Sequence, residues 1–198
     1  MREFLKALAR TIGFIFALPF LASYLVKKLF LEHNKAFEGS TQAISLIPGM
    51  PGEYVRRAFL SVTLRHCDPT STVEFGTIFS QTGASIDANV YVGPRCHLGL
   101  VHLEKNVLLA AGVHIPSGAE THGTADTSVP IRDQPGARVL VRIGEGSWIG
   151  SASVVLADVG KHCVVGAGAV VTKPLPDYSI AVGVPAKIVR SRLPDQNA

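Results

Sequence analysis

The side chains best suited to proton transfer near neutral pH are the seven histidines, and His122 occupies an unusual position among them. It opens the segment HGTADTSVPIRDQPGARVLVR, which interrupts a regular spacing of aliphatic residues present on both sides. Such an interruption commonly forms the wall of a pocket. Imidazole titrates near pH 7, so His122 is a candidate general base that removes a proton from a hydroxyl group. The carboxylates of Glu120, Asp126 and Asp133 are equally placed to orient its ring.

The interrupted spacing is a period of six residues. In extended chain an even period keeps an aliphatic residue, and the small residue two places before it, on the same side, whereas helical spacing would scatter them. The period predicts stacked coils of a parallel β-helix, shortened after Leu98 and after Val155. The aliphatic positions are Ile86, Val92, Leu98, Leu103, Leu109, Ile115, Ile143, Ile149, Val155, Val159, Val165 and Val171.

The period also gives an interpretation of two cysteines and six glycines. Cys96 and Cys163 fall in the small inward positions, which indicates packing rather than nucleophilic catalysis. Glycine directly follows six of the aliphatic positions, where we expect turns with positive φ. These glycines are Gly93, Gly99, Gly144, Gly150, Gly160 and Gly166.

Three further histidines each precede an aliphatic position by one residue, so their side chains should point outward. They are His97, His102 and His114. The assigned period places His97 and His114 on adjacent coils. Together with His122 these residues raise the alternative of a zinc enzyme, because catalytic zinc takes three protein ligands.

The N-terminal segment differs in composition from the rest of the chain. Residues 1–35 hold six Lys or Arg against Glu3 and Glu32, and the remainder balances at thirteen against thirteen, which disfavours nucleic-acid binding. Residues 11–26, TIGFIFALPFLASYLV, carry no charge, but a full span needs roughly 20 apolar residues. Because Pro19 should also kink a helix, we expect an interfacial or re-entrant anchor at the inner face of the membrane. A helix packed on an oligomer and a secretory signal are the alternatives.

The chain divides into four parts on this reading. Residues 1–35 form the apolar and basic helical segment, and 36–69 hold lead-in helices. One of these helices is expected over 51–66, with Pro51 in its first turn and an apolar face that covers the open first coil. Residues 70–192 form the β-helix, and 193–198 a tail. The three cysteines show no CxxC pair, which indicates a reducing, cytoplasmic location.

The strings WIG, GAGAVVTK and VGVPAKIV, with the repeats and the break at His122, resemble the hexapeptide-repeat O-acetyltransferases. That family includes maltose, galactoside and exopolysaccharide acetyltransferases. The resemblance implies an all-β, left-handed parallel β-helix preceded by helices, and a homotrimer with active sites between neighbouring subunits. It also implies acetyl-CoA as acyl donor, no metal, and His122 as the catalytic base.

The resemblance further implies which residues bind coenzyme A. Lys173 and Lys187 would supply cations for its phosphates, with Arg190 a possible assistant. The full set matched by motif is Trp148, Ser151, Ala167, Thr172, Lys173 and Lys187.

The sequence leaves open both the chemical identity of the acceptor and the type of activity. A hydroxyl of a sugar or polysaccharide precursor suits an enzyme at a membrane, and an amino-sugar amine stays open. A γ-carbonic-anhydrase-like zinc enzyme on the same scaffold and a non-catalytic trimeric scaffold are the competing interpretations.

Overall fold

The computed structural model describes residues 2–193, so most of the predicted tail at 193–198 lies outside the described residues. Three helices come first: α1 (Arg2–Lys27), α2 (His33–Ser45) and α3 (Gly49–Thr63). Short strands follow, most of them two residues long. The first nine strands are β1 (His66–Cys67), β2 (Thr72–Val73), β3 (Ile78–Phe79), β4 (Ser85–Ile86), β5 (Tyr91–Val92), β6 (His97–Leu98), β7 (Val101–Leu103), β8 (Leu108–Leu109) and β9 (His114–Ile115).

A long irregular segment then separates β9 from the remaining coils. It contains one 3₁₀ helix, Ile131–Asp133. The strands after it are β10 (Val141–Ile143), β11 (Trp148–Ile149), β12 (Val154–Val155), β13 (Val164–Val165), β14 (Val170–Val171), β15 (Ser179–Val182) and β16 (Lys187–Ser191).

The strands form three sheets that are the faces of a triangular solenoid. The first face is β1-β4-β7-β10, the second is β16-β15-β13-β11-β8-β5-β2, and the third is β14-β12-β9-β6-β3. Each strand pairs in parallel with the strand one coil away, and only β16 returns antiparallel to β15. This is the predicted parallel β-helix preceded by helices.

The predicted aliphatic ladder fills the interior. Every aliphatic position of the period is at most 2% exposed, and of the small positions before them only Ala157 is not fully buried. Removing a Val, Leu or Ile side chain from water contributes about 1.5–3 kcal/mol, so the stability of the solenoid accumulates coil by coil. Leu98 stacks on Ile115, and Val159 bridges to Ile143, so the inward residues stay in register across both shortened repeats. The residues missing from those repeats, after Leu98 and after Val155, are therefore missing from corners.

The glycines that follow the aliphatic residues have a different role from the predicted one. The positive-φ glycines are others, such as Gly112 and Gly146. Gly93 is needed because a Cβ there would lie 2.7 Å from the backbone carbon of Ala110 on the next coil. At Gly150 a Cβ would lie 2.5 Å from the backbone nitrogen of Ala167. The prediction of positive φ at these six glycines was therefore wrong. Glycine is needed there because the corners of adjacent coils stack too closely to admit a Cβ atom.

The solenoid begins earlier than the six-residue period suggested. Cys67, Val73 and Phe79 face inward in a first coil that starts at His66, before the expected boundary at residue 70. α3 packs against β1 and β2, and α2 packs against β3. The open end of the solenoid is therefore covered by both helices.

α2 is held by specific polar contacts. The Glu32 carboxylate accepts hydrogen bonds from the backbone N–H groups of Asn34 and Lys35, which caps the helix N-terminus and lowers the pKa of Glu32. At the other end the Thr41 hydroxyl donates to the Phe79 carbonyl at 2.9 Å. These contacts fix α2 on the third face, beside the coils that carry His97 and His114.

α1 is a single helix that continues through Pro19 and packs along α3. Its segment Leu5–Lys27 is long and apolar enough to cross a membrane by length and composition, and 22% of an 18-residue apolar window within it is buried. The helix lacks the reversal that a re-entrant segment would need.

Candidate active site

A pocket of about 270 Å³ lies where the third face meets the irregular segment. The third face supplies His97 and His114, the irregular segment supplies His122 and Arg138, and α2 supplies Glu38. The predicted interruption of the solenoid thus forms one wall of a pocket, and His122 lies in that wall. We call this cavity the histidine pocket.

His97 and His114 stand on adjacent coils, as the period predicted. They are register partners in β6 and β9, and their ring centroids are 6.0 Å apart in an edge-to-face arrangement. Glu38 adds a carboxylate, with its Oε1 atom 3.9 Å from Nε2 of His97. The pocket therefore brings three imidazoles and one carboxylate together.

The remaining lining of the histidine pocket is mostly small and polar. Ser80, Gln81 and Thr121 offer hydroxyl or amide groups, and Arg138 offers a cation. A polar lining of donors and acceptors suits a ligand with several hydroxyl groups. The sequence did not indicate Glu38, because its place depends on how α2 docks on the solenoid.

Two of the three predicted carboxylates, those of Asp126 and Asp133, have partners other than the His122 ring. Asp126 accepts from the backbone N–H and the hydroxyl of Ser128, and these bonds lower its pKa. Asp133 lies 3.4 Å from Nε of Arg132. Within residues 5–193, whose side chains are described, no carboxylate hydrogen-bonds to His122. The segment as it stands therefore leaves that ring exposed and without an orienting partner.

His102 lies on the first face, away from the histidine pocket. Its Nε2 atom is 3.1 Å from Oδ2 of Asp87, and its Nδ1 atom is 3.2 Å from Nη1 of Arg142. Both ring nitrogens are thus engaged. Among the described residues, no group of three or more His, Cys, Asp or Glu has an arrangement that would hold a metal ion.

Trp148 lies on the second face, in a groove of about 720 Å³. Its side chain is half exposed, between Leu108 and Val164 on the neighbouring coils. Arg190 and Arg192 line the same groove and give it positive charge. We call it the tryptophan groove.

Four of the other predicted donor-binding residues border the third face. Ser151 and Ala167 occupy stacked corners between the second and third faces, where Gly168 N–H donates to the Ser151 carbonyl at 2.8 Å. Thr172 and Lys173 follow β14 at the opposite edge and are exposed. Val154 of β12 pairs with His114, so these corners lie one and two coils beyond the histidine pair. Lys187 begins β16 on the second face.

The cysteines have the packing role that the period predicted for two of them. Cys96 and Cys163 are buried among the inward residues, and burial raises the pKa of both thiols. Cys67 is buried in the first coil, and desolvation likewise raises its pKa. A neutral buried thiol is a poor nucleophile.

Comparisons with known proteins point in one direction. A family model described as the hexapeptide repeat of succinyl-transferase matches residues 140–173. The galactoside O-acetyltransferase of Escherichia coli is 26% identical over 168 residues, covering 72% of this chain and 80% of that protein. A probable acetyltransferase of Mycobacterium tuberculosis is 48% identical over 73 residues, covering 36% of this chain but only 24% of the relative's length.

Among solved structures, a galactoside acetyltransferase in complex with coenzyme A superimposes with a TM-score of 0.55 and 20% identity. That superposition covers 82% of this chain and 84% of the other. Fold and repeat together define a hexapeptide-repeat protein built as a left-handed β-helix. Within that class the chain is similar to the hexapeptide-repeat acetyltransferases, which confirms the resemblance carried by the WIG and GAGAVVTK strings.

Proposed function

We propose that the protein transfers an acetyl group from acetyl-CoA to a hydroxyl of a sugar or polysaccharide precursor, with His122 as general base. The observation that carries this proposal is the position of His122, in a polar pocket at the end of the face bordered by the donor-binding motif residues. We further propose that the working form is a cytoplasmic homotrimer in which neighbouring subunits share each site.

The chemistry asked of His122 is limited to moving one proton. A ring nitrogen takes the proton of the acceptor hydroxyl while the hydroxyl oxygen bonds to the thioester carbonyl carbon. As the carbon–sulfur bond breaks, the same imidazolium returns the proton to the departing thiolate. The products are an acetyl ester and the free thiol of coenzyme A, so no covalent acyl-enzyme is needed.

The donor would lie along the corners beyond the histidine pocket. Ser151 and Ala167 are small and lie on stacked corners, which leaves room for an extended chain to pass. Lys173 and Lys187 are exposed cations that would bind phosphate groups as point charges. The flat ring of Trp148 and the guanidinium of Arg190 provide a second surface for the same donor.

The acceptor class is inferred from the lining of the histidine pocket. Ser80, Gln81, Thr121 and Arg138 can each hydrogen-bond to a sugar hydroxyl, and Glu38 can accept from one. A saccharide presents several such groups at fixed spacing. A pocket that pairs them would reject acceptors that leave these polar side chains unpaired.

Mass spectrometry tests this function directly. The full chain is incubated with acetyl-CoA and a panel of oligosaccharides and nucleotide sugars, and a gain of one acetyl group identifies the acceptor. His122→Ala should lower the rate by about 10²- to 10⁴-fold. His66→Ala is the matched control, because His66 is exposed on β1 outside the histidine pocket, and it should leave the rate unchanged.

Two outcomes would contradict the proposal. Equal rates for the His122→Ala and unchanged proteins would remove the general base. Stoichiometric zinc in the purified protein, with carbon dioxide hydration and no acetyl transfer, would favour the zinc enzyme on the same scaffold.

A further inference from the structure

α1 presents two apolar faces, and only one of them is covered by protein. Gly13, Ala17, Leu21 and Tyr24 form a buried stripe against the other helices. The contact is close, since a Cβ at Gly13 would lie 2.8 Å from Cβ of Tyr54 on α3. This stripe fixes α1 lengthwise on the protein.

The opposite face of α1 is also apolar and is exposed. It has no charged residue between Arg10 and Lys27, although surface helices of soluble proteins ordinarily carry polar residues there. The apolar surface continues beyond the helix into Leu29, Phe30 and Leu31. We call this surface the outer face of α1; on the helix itself it consists of Leu8, Ile12, Phe14, Ile15, Phe16, Leu18, Leu25 and Val26.

A groove of about 590 Å³ extends the outer face toward α3. Ile12, Phe16 and Phe20 line one side, and Met50 and Val55 line the other. None of the described residues that line it is charged. Its dimensions and lining suit hydrocarbon chains rather than a polar ligand.

The charges of this region lie at the two ends of the apolar surface. Lys6 and Arg10 precede it, and Lys27 and Lys28 follow it, with Glu32 the acidic residue beyond. The net charge of +4 of the whole chain belongs to this segment, because the rest of the sequence is balanced. Basic ends around an apolar surface complement lipid headgroups that carry negative charge.

We propose that the outer face of α1 inserts into the surface of an anionic bilayer, with the helix axis in the membrane plane. The basic ends would then bind headgroups while the apolar side chains reach the acyl chains. A helix crossing the bilayer would have to leave α3 and uncover Phe59, whose ring packs edge-to-face on Tyr24 at 5.9 Å. The covered stripe therefore favours a helix that lies on the membrane over one that spans it.

Vesicle flotation of the full chain tests the proposal. Vesicles of phosphatidylcholine with phosphatidylglycerol should carry the protein to the top of the gradient, and pure phosphatidylcholine vesicles should carry much less. Rising salt should weaken the binding, because it screens the attraction between the basic ends and the headgroups. Equal binding to both vesicles at all salt concentrations would overturn the electrostatic part.

A matched pair of variants isolates the outer face. Ile15 is 57% exposed on α1 and Ile131 is 58% exposed in the irregular segment. Ile15→Asn should weaken partitioning into anionic vesicles about tenfold, and Ile131→Asn should not change it. Circular dichroism confirms that both variants are folded. Equal partitioning of both variants would contradict insertion through α1.

Two further measurements separate other occupants of this surface. If a second copy covers the outer face, Ile15→Asn would change the oligomer mass by light scattering and leave vesicle binding unchanged, which would overturn the proposal. If alkaline carbonate fails to release the bound protein from the vesicles, the helix crosses the bilayer and the in-plane orientation is wrong. Acetyl transfer to a soluble acceptor should be unaffected by Ile15→Asn, so the two proposals fail independently.

Discussion

Arg56 lies where α3, the turn after α2 and the first coil meet, and it is 1% exposed. Its Nε atom donates to the Val73 carbonyl at 2.8 Å, and its Nη1 atom donates to the Ile47 carbonyl at 2.6 Å. The Nη2 atom has no hydrogen-bond partner among the residues that the structure describes, and burial lowers the pKa of the guanidinium. Arg56 thus supplies hydrogen bonds to two carbonyl groups at the helix-covered end of the solenoid. It also places a positive charge in the protein interior.

Replacing this side chain should destabilise the capped end. Arg56→Met keeps much of the volume but leaves the Val73 and Ile47 carbonyls unpaired, at about 1–3 kcal/mol each. Removal of the buried charge offsets part of this, so we expect a net loss of about 2 kcal/mol in the free energy of unfolding. Urea denaturation at fixed protein concentration measures it. The exposed Arg65→Met should change it by less than about 0.5 kcal/mol, and equal losses would contradict the role of Arg56.

The three thiols should be unreactive in the folded protein. Cys67, Cys96 and Cys163 are buried, and burial raises the pKa of each, so little thiolate exists even at mildly alkaline pH. Ellman's reagent at pH 8 should label none of them quickly without denaturant and all of them in guanidinium chloride. Rapid labelling of Cys96 or Cys163 in the folded state would reopen a nucleophilic role.

At the scale of elements, the corner glycines determine how closely the coils stack. At Gly93 an added Cβ would meet the backbone of Ala110 and Leu109 at 2.7–2.8 Å, and backbone cannot move aside as a side chain can. Gly93→Ala should therefore lower the free energy of unfolding by about 2 kcal/mol. The matched control is Gly39→Ala, because a Cβ at Gly39 meets nothing within 4 Å inside α2. That change should raise stability by about 0.5–1 kcal/mol, and thermal melts of both variants would show opposite shifts.

The six-residue period predicted the coils from Ile86 onward because an aliphatic residue fills the larger of the two inward positions in every repeat there. It missed the first coil because Cys67 and Phe79 are not aliphatic, and because the step from Phe79 to Ile86 is seven residues. The bounds of α2 do not stand out in the sequence, because its interior contains Gly39, Ser40 and Thr41. These are weak helix formers, so tertiary contacts such as that of Thr41 with Phe79 hold it.

The histidine pocket was predictable in part. The break in the period identified His122, and the spacing of six identified His97 and His114 as neighbours. Glu38 could not be found, because no sequence pattern relates a helix before the solenoid to its third face. Asp126 is close to His122 in sequence, but the irregular segment turns its carboxylate toward Ser128 instead.

At the scale of the molecule, the two halves of the proposed site point in different directions. The histidine pair projects outward from the third face, whereas Trp148 projects outward from the second. Outward side chains on adjacent faces of a triangular solenoid diverge. A donor held between the histidine pocket of one subunit and the tryptophan groove of another would resolve this geometry, and a closed trimer has three such interfaces.

Complementation between inactive variants tests this arrangement. Trp148→Glu removes the flat ring and places a carboxylate on a surface proposed to bind the anionic donor, so we expect it to be inactive alone, as we expect of His122→Ala. The two variants are co-expressed with different tags, and mixed trimers are purified through both tags. Every mixed trimer then has one interface that joins an intact His122 to an intact Trp148. Acetyl transfer should then return to about one third of the unchanged rate. Pairing His122→Ala with the double variant should restore nothing, and no recovery in the first mixture would place both residues in a site within one subunit.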